Sequence, residues 1–147
     1  MQQQPDLSAR PFHLEVERDM KESAATLYRA FTTGLDSWFA APGTLTMTPE
    51  VGALFFFETH FEGQRHPHYG RFLRLVPNQL IEITWITGNP GTLGAETVVT
   101  IELASKAGGT HIKLAHAGFA DAESRDGHLE AWPLVFDHLE QHMKQSD

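Results

Sequence analysis

The chain has 147 residues, 41% of them hydrophobic and 20% charged, with 19 acidic against 11 basic side chains and a formal net charge of −8. That length fits one folded domain able to bury its own core, and an acidic balance without a basic stripe excludes general attraction to nucleic acid or to an anionic membrane. The chain holds no cysteine, which excludes disulfides, thiolate metal centres and cysteine nucleophiles within it.

The opening MQQQPDLSARP (1–11) has no basic region followed by an apolar core. It is expected as a disordered lead-in and not as a secretory signal, with the domain expected over 12–147 and the protein expected in the cytoplasm. FHLEVERDM (12–20) sets Phe12, Leu14 and Val16 against His13, Glu15 and Glu17, the alternation of a half-buried strand. ESAATLYRAFTT (22–33) then changes period. Ala24, Leu27, Tyr28 and Phe31 recur at helical spacing, Ser23 can cap the start, and Gly34 suits the end. LDSWFA (35–40) predicts a second short helix.

After Pro42-Gly43 the pattern becomes strands and turns. TLTMTP (44–49), ALFFFETHF (53–61), HYGRFLRLV (68–76), LIEITWIT (80–87), TVVTIELAS (97–105) and THIKLAHAGF (110–119) all read as strands. Turns at Glu62-Gly63, Pro77-Asn78 and Gly108-Gly109 join their neighbours. GNPGTLG (88–94) reads as a long flexible connection. A closing helix over 124–144 carries Leu129, Trp132, Phe136, Leu139 and Met143 as one stripe. Pro133 within it predicts a kink or a loose first turn. Strands that follow one another through short turns pair antiparallel, and the apolar face they share needs the long helix to cover it. The expected fold class is therefore α+β in two layers.

This order of elements resembles the START-like helix-grip superfamily, also called SRPBCC or Bet v-like, in which a curved antiparallel sheet wraps a long C-terminal helix. Within it the chain is similar to the family of the C-terminal domain of the activator of the ninety-kilodalton heat-shock chaperone's ATPase. The segments that carry the resemblance are TLYRAFTTGLDSWFA (26–40), VGALFFFE (51–58), HYGRFLRLVPNQLIEITW (68–85), GGTHIKLAHAGF (108–119) and HLEAWPLVFDHLEQHM (128–143). The resemblance implies a cavity between sheet and helix suited to a small, largely apolar ligand. It also implies, through the family name alone, a chaperone as partner and a link to stress responses.

Strand alternation supplies candidates for the cavity wall. Ile81, Ile83 and Trp85 share a face, as do Val99, Ile101 and Leu103, Ile112, Leu114 and His116, and Phe55 and Phe57. The expected ligand-binding residues are Trp38, Phe55, Phe57, Tyr69, Trp85, His116, Phe119, Trp132 and Phe136. His116 continues an inward apolar row; it reads first as a core histidine satisfied by a partner and second as an acid or base. Small-molecule binding without established catalysis is the leading reading. A cofactor-free cyclase or hydrolase using His116, Tyr69, Tyr28 and Arg71 is the alternative. No P-loop, dinucleotide fingerprint, HExxH or G-x-S-x-G motif occurs, so no cofactor and no metal are expected. His60, His66 and His68 lie close in sequence, but with Pro67 between the last two they read as a polar turn at the rim and not as a metal site. His138 and His142 read as exposed residues near the helix's negative end. Leu54 and Phe56 would face outward if Phe55 and Phe57 face inward, which makes a homodimer patch a candidate.

Overall fold

The computed structural model describes residues 4–88 and 91–145. The elements are β1 (Phe12–Met20), α1 (Ala24–Ala30), a 3-10 turn (Leu35–Ser37), β2 (Thr46–Met47), β3 (Leu54–Phe61), β4 (Gln64–Val76), β5 (Leu80–Trp85), β6 (Thr97–Lys106), β7 (Gly109–Phe119) and α2 (Ala122–Gln145). The strands form one open sheet in the order β1-β7-β6-β5-β4-β3-β2, and every pair is antiparallel. With the long helix α2 packed on it, this is the expected helix-grip α+β architecture.

Alternation decides which side chains meet α2. Leu14, Phe57, Phe72, Ile81, Val99, Ile101, Ile112 and Leu114 form the buried inner face. The outer face between β1 and β7 is a charged ladder instead. His111 bonds Glu17 (2.9 Å) and Asp19 (2.7 Å), and Lys106 bonds Asp19 (2.8 Å). The outer face of β5 is covered: Glu82 is buried and held by Arg74, Thr100 and Gln4. Gln4 belongs to the segment expected as a disordered lead-in. Over residues 4–11 that segment lies on the sheet, with Arg10 donating to the carbonyls of Gly118 and Glu96 at 2.7 Å each. Residues 1–3 fall outside the described residues.

Two glycines allow close approaches that no other residue would permit. A Cβ at Gly70 would lie 2.1 Å from the Thr84 carbonyl oxygen, where β4 meets β5, and one at Gly109 would lie 1.9 Å from the Met20 carbonyl oxygen. Either contact is far inside van der Waals distance.

Helix α1 starts as expected, with Ser23 Oγ accepting from the Thr26 amide. Trp38 Nε1 donates to the Ala30 carbonyl at its other end (2.7 Å). Helix α2 differs from expectation at its first half. It runs helical from Ala122 on through Pro133, and its buried stripe keeps Trp132, Phe136 and Leu139 of the one read from the apolar residues, with Met143 packed against the core, but loses Leu129 at its start. Leu129 is exposed. Ser124, Trp132, Phe136 and Leu139 are buried, and His128 turns inward between them, 4.8 Å from the Phe119 ring. Steps of four from 124 to 136 follow the helical period as well as steps of three and four do. The apolar Leu129 was the misleading signal. Arg18, in the inward row of β1, clamps this helix: its guanidinium bonds Asp137 (2.7 Å) and Glu140 (2.6 Å) and lies over the Phe136 ring. No helix among the described residues is long and apolar enough to cross a membrane.

Candidate functional site

The space between the sheet and the middle of α2 is almost filled by aromatic side chains. What remains there is a void of about 20 Å³ against Trp38, Phe55, Phe57, Trp85 and Trp132, room for about one water molecule. The open volume lies beside it. Strand β4 pairs with β5 only from Phe72 onward, plus one bridge from Tyr69 to Ile86. The β3–β4 hairpin therefore extends past the rest of the sheet. Between it, Trp85, Thr87, Gly88 and Gly91, and the middle of α2 lies a cleft of about 640 Å³, within the range of small-molecule sites.

Aromatic rings build the cleft wall. Trp85 and Trp132 stand 5.6 Å apart, and Phe39 lies 6.3 Å from Trp85. Phe61 and Leu134 flank the mouth and are 65% and 64% exposed, an apolar lip facing water. Four histidines also line the cleft: His66, His68, His128 and His138.

The sequence clustering of histidines is divided by the sheet. Glu62 and Gly63 both take positive φ, the two-residue turn that suits a hairpin. His60 then falls on the outer face, where Glu58 accepts from its Nε2 (3.2 Å) and from both arms of Arg65. Arg65 first, and His60 second, hold the Glu58 carboxyl down at about 2. His66 and His68 point the other way, into the cleft. Among the described residues no three His, Asp or Glu side chains group as metal ligands would.

His68 is fixed. Its ring stacks on Phe57 (4.8 Å, 13° between planes) and meets Trp85 edge-on at 5.1 Å. Its Nδ1 donates to the His66 carbonyl (2.9 Å). Burial pushes its pKa down to about 4, so the ring is neutral at ordinary pH. His128 is arranged alike: Nδ1 donates to the Ser124 carbonyl (2.8 Å), and burial lowers its pKa. His138 donates from Nε2 to the Trp38 carbonyl (2.7 Å).

His116 is fully buried and both of its nitrogens are engaged. Trp132 Nε1 donates to Nδ1 (3.1 Å), which leaves Nε2 to donate to Thr97 Oγ1 (2.8 Å); the Thr97 hydroxyl then donates to the Trp85 carbonyl. Burial drives its pKa well below the usual value. The network fixes Trp132 and Trp85, the two tryptophans of the cleft wall, through one neutral imidazole.

Of the expected site residues, Trp85 and Trp132 line the cleft. Trp38, Phe55 and Phe57 line the small void behind it. His116, Phe119 and Phe136 are core. Tyr69 is 46% exposed and pairs with Phe56 on the outer face. None of His116, Tyr69, Tyr28 and Arg71 lines the cleft. Phe39, Phe61, His68, His128 and His138 do, and were not among the expected site residues. The connection at 88–94, expected to be flexible, is drawn tight at its ends. Thr87 and Thr92 exchange backbone and hydroxyl hydrogen bonds (2.7 to 3.0 Å), and Ser124 Oγ donates to the Gly91 carbonyl.

Residues 21–144 match the family model described as Activator of Hsp90 ATPase homolog 1-like protein. Among solved structures the chain is similar to a protein from Mesorhizobium loti, at 25% identity and a TM-score of 0.76, covering 92% of this chain and 98% of that one. It is similar to a protein from Rhodobacter sphaeroides at 26% identity and a TM-score of 0.71, covering 92% and 91%. The Aha1 dimer from Colwellia psychrerythraea shares the fold, at 18% identity and a TM-score of 0.67 over 87% of this chain and 92% of that one. No curated protein matches.

Proposed function

We propose, from the premise that the chain belongs to the Activator of Hsp90 ATPase homolog 1-like family, that it binds a small, largely apolar or aromatic molecule between its sheet and its C-terminal helix. The observation that carries this reading is the 640 Å³ cleft with Trp85, Trp132 and Phe39 in its wall and the exposed Phe61 and Leu134 at its mouth. Exposed large apolar side chains around a concave surface mark a place where something is bound. Trp85 and Trp132 are the proposed contacts. Trp38, Phe55 and Phe57 back them, and His116 holds them. Native mass spectrometry of the purified protein, followed by denaturation and solvent extraction, tests this. The expected result is a stoichiometric small molecule lost on denaturation, or uptake of an added aromatic probe that Trp85→Ala abolishes. A protein that takes up neither contradicts it.

A homodimer through the opposite face is a second, separate proposal. Leu54 (75% exposed), Phe56 (39%) and Tyr69 lie together there on β3 and β4. Light scattering on the wild type and on Leu54→Glu tests it: a dimer that the substitution dissociates supports it, and a wild-type monomer at high concentration refutes it.

A further inference from the structure

The hydrogen-bond state of the cleft histidines selects a ligand class. A backbone carbonyl only accepts, so the nitrogen facing it must carry the proton. For His68 and His128 that nitrogen is Nδ1. Each ring therefore keeps a bare Nε2 lone pair, and both rings line the cleft, one from β4 and one from α2. Among the described residues no side chain donates to either Nε2. Both rings stay neutral because each is half-buried among aromatic neighbours. Arg65, the one Lys or Arg among the described residues of the lining, has its guanidinium on the Glu58 carboxylate at 3.0 and 2.6 Å. The adjoining depression, which shares Gly91, His128 and Ala131 with the cleft, adds Asp121 and Glu123. The polar groups set against Trp85 and Trp132 are thus the two imidazole acceptors, with Thr59, Gln64, Arg65 and His66 on the hairpin side of the cleft.

We infer that the cleft selects aromatic molecules presenting an O–H or N–H donor, of the phenol or aryl-amine class, and discriminates against their ethers and against aromatic acids. The inference rests on the reading of the cleft as the ligand site. The donor hydrogen bonds to Nε2 of His68 or His128 while the ring lies against Trp85 and Trp132. An ether places a methyl group where the proton should be and leaves the imidazole lone pair unsatisfied. A carboxylate sets two acceptors and a charge against these two lone pairs, and among the described residues of the lining the one Lys or Arg, Arg65, is already on the Glu58 carboxylate.

Three probes test this by tryptophan-fluorescence titration: naphthol, its methyl ether and naphthoate. Naphthol is expected to bind about tenfold more tightly than the ether, the worth of one neutral hydrogen bond, with naphthoate weakest. In the double variant His68→Phe, His128→Phe, which keeps both rings and removes both lone pairs, naphthol and ether are expected to bind within about twofold of each other. Equal wild-type affinity for naphthol and ether, or naphthoate binding as well as naphthol, overturns the inference and leaves the cleft as a ligand site. A preference that survives the double variant overturns it too. Binding of none of the three overturns both readings.

Discussion

Lowering the pH should unfold this protein through its imidazoles before its carboxylates are protonated. His68, His116 and His128 all have pKa values lowered by burial, so they are neutral in the folded chain and titrate near about 6.5 once unfolded. Between those limits the unfolded state binds more protons than the folded one. Stability is then full above about pH 6.5 and falls as the pH drops toward the folded values. For His68, whose folded value is about 4, the loss is about 2 kcal/mol near pH 5. Three such groups give a slope of at most about 4 kcal/mol per pH unit just below pH 6. His111 opposes this. Glu17 and Asp19 raise its pKa, so it adds stability at low pH that is lost as the pH rises through its folded value, which flattens the curve near neutrality. The Glu58 carboxylate, at about 2, is lost only in a lower window. A domain at the lower end of the usual range of about 5 to 15 kcal/mol of total stability should therefore unfold between roughly pH 4 and 5. Urea melts followed by tryptophan fluorescence across that range check the slope. A urea midpoint unchanged from pH 7.5 to 5, or folded-state imidazole NMR signals that titrate near 6.5 for all three residues, would refute the reasoning.

Three variants probe separate parts of the same structure. Gly70→Ala sets a methyl group 2.1 Å from the Thr84 carbonyl oxygen; a destabilisation of about 3 kcal/mol is expected in a denaturant melt, and a stability equal to wild type would mean that β4 and β5 do not approach this closely. Thr97→Val removes the hydroxyl that bridges His116 to the Trp85 carbonyl. It should cost about 1 to 3 kcal/mol and loosen the Trp85 environment, read by near-ultraviolet circular dichroism; an unchanged spectrum would show that Trp85 is held by packing alone. Replacing Phe61 and Leu134 together by serine should leave stability within about 0.5 kcal/mol of wild type, since both are mainly exposed, while weakening naphthol binding at least several-fold. Unaffected binding would remove the lip from the site.

Most of the architecture was written in side-chain period. Leu14 and Val16 against Glu15 and Glu17 fixed the faces of β1, and Ile81, Ile83 and Trp85 those of β5, because a strand with one buried face tolerates no slip in register. The site was less legible, for two local reasons. Pro67 suggested that strand pairing began only at His68, yet β4 starts at Gln64. The proline is tolerated because this part of β4 pairs only with β3, so its missing amide lies on an open edge. That same open edge creates the cleft, so the feature that hid the strand also hid the site. His128 was missed because the apolar Leu129 next to it completed a plausible stripe. Burial of a histidine is decided by a partner for its N–H, here the Ser124 carbonyl, and hydropathy alone does not register that partner. That Trp85 and Trp132 share the cleft wall was legible because a tryptophan ending an inward row and one on the buried helix face meet where the helix crosses the sheet.

The acid sensitivity and the donor selectivity share their imidazoles, so they should be coupled. A donor ligand bonds only to a bare Nε2, and protonating His68 or His128 removes that acceptor. Naphthol should therefore bind the folded, neutral form and oppose acid unfolding. At a free concentration of about a hundred times its Kd, a ligand adds about 2.7 kcal/mol. Against a slope of at most about 4 kcal/mol per pH unit, that moves the acid midpoint down by roughly two-thirds of a pH unit or more. The measurement is an acid titration of the intact protein with and without naphthol, followed by far-ultraviolet circular dichroism. The same shift should shrink in the His68→Phe, His128→Phe variant, whose acid slope is also expected to fall by about two protons' worth. If the shift at equal saturation is as large in that variant as in the wild type, the bound donor is not on these two imidazoles, whatever else holds it in the cleft.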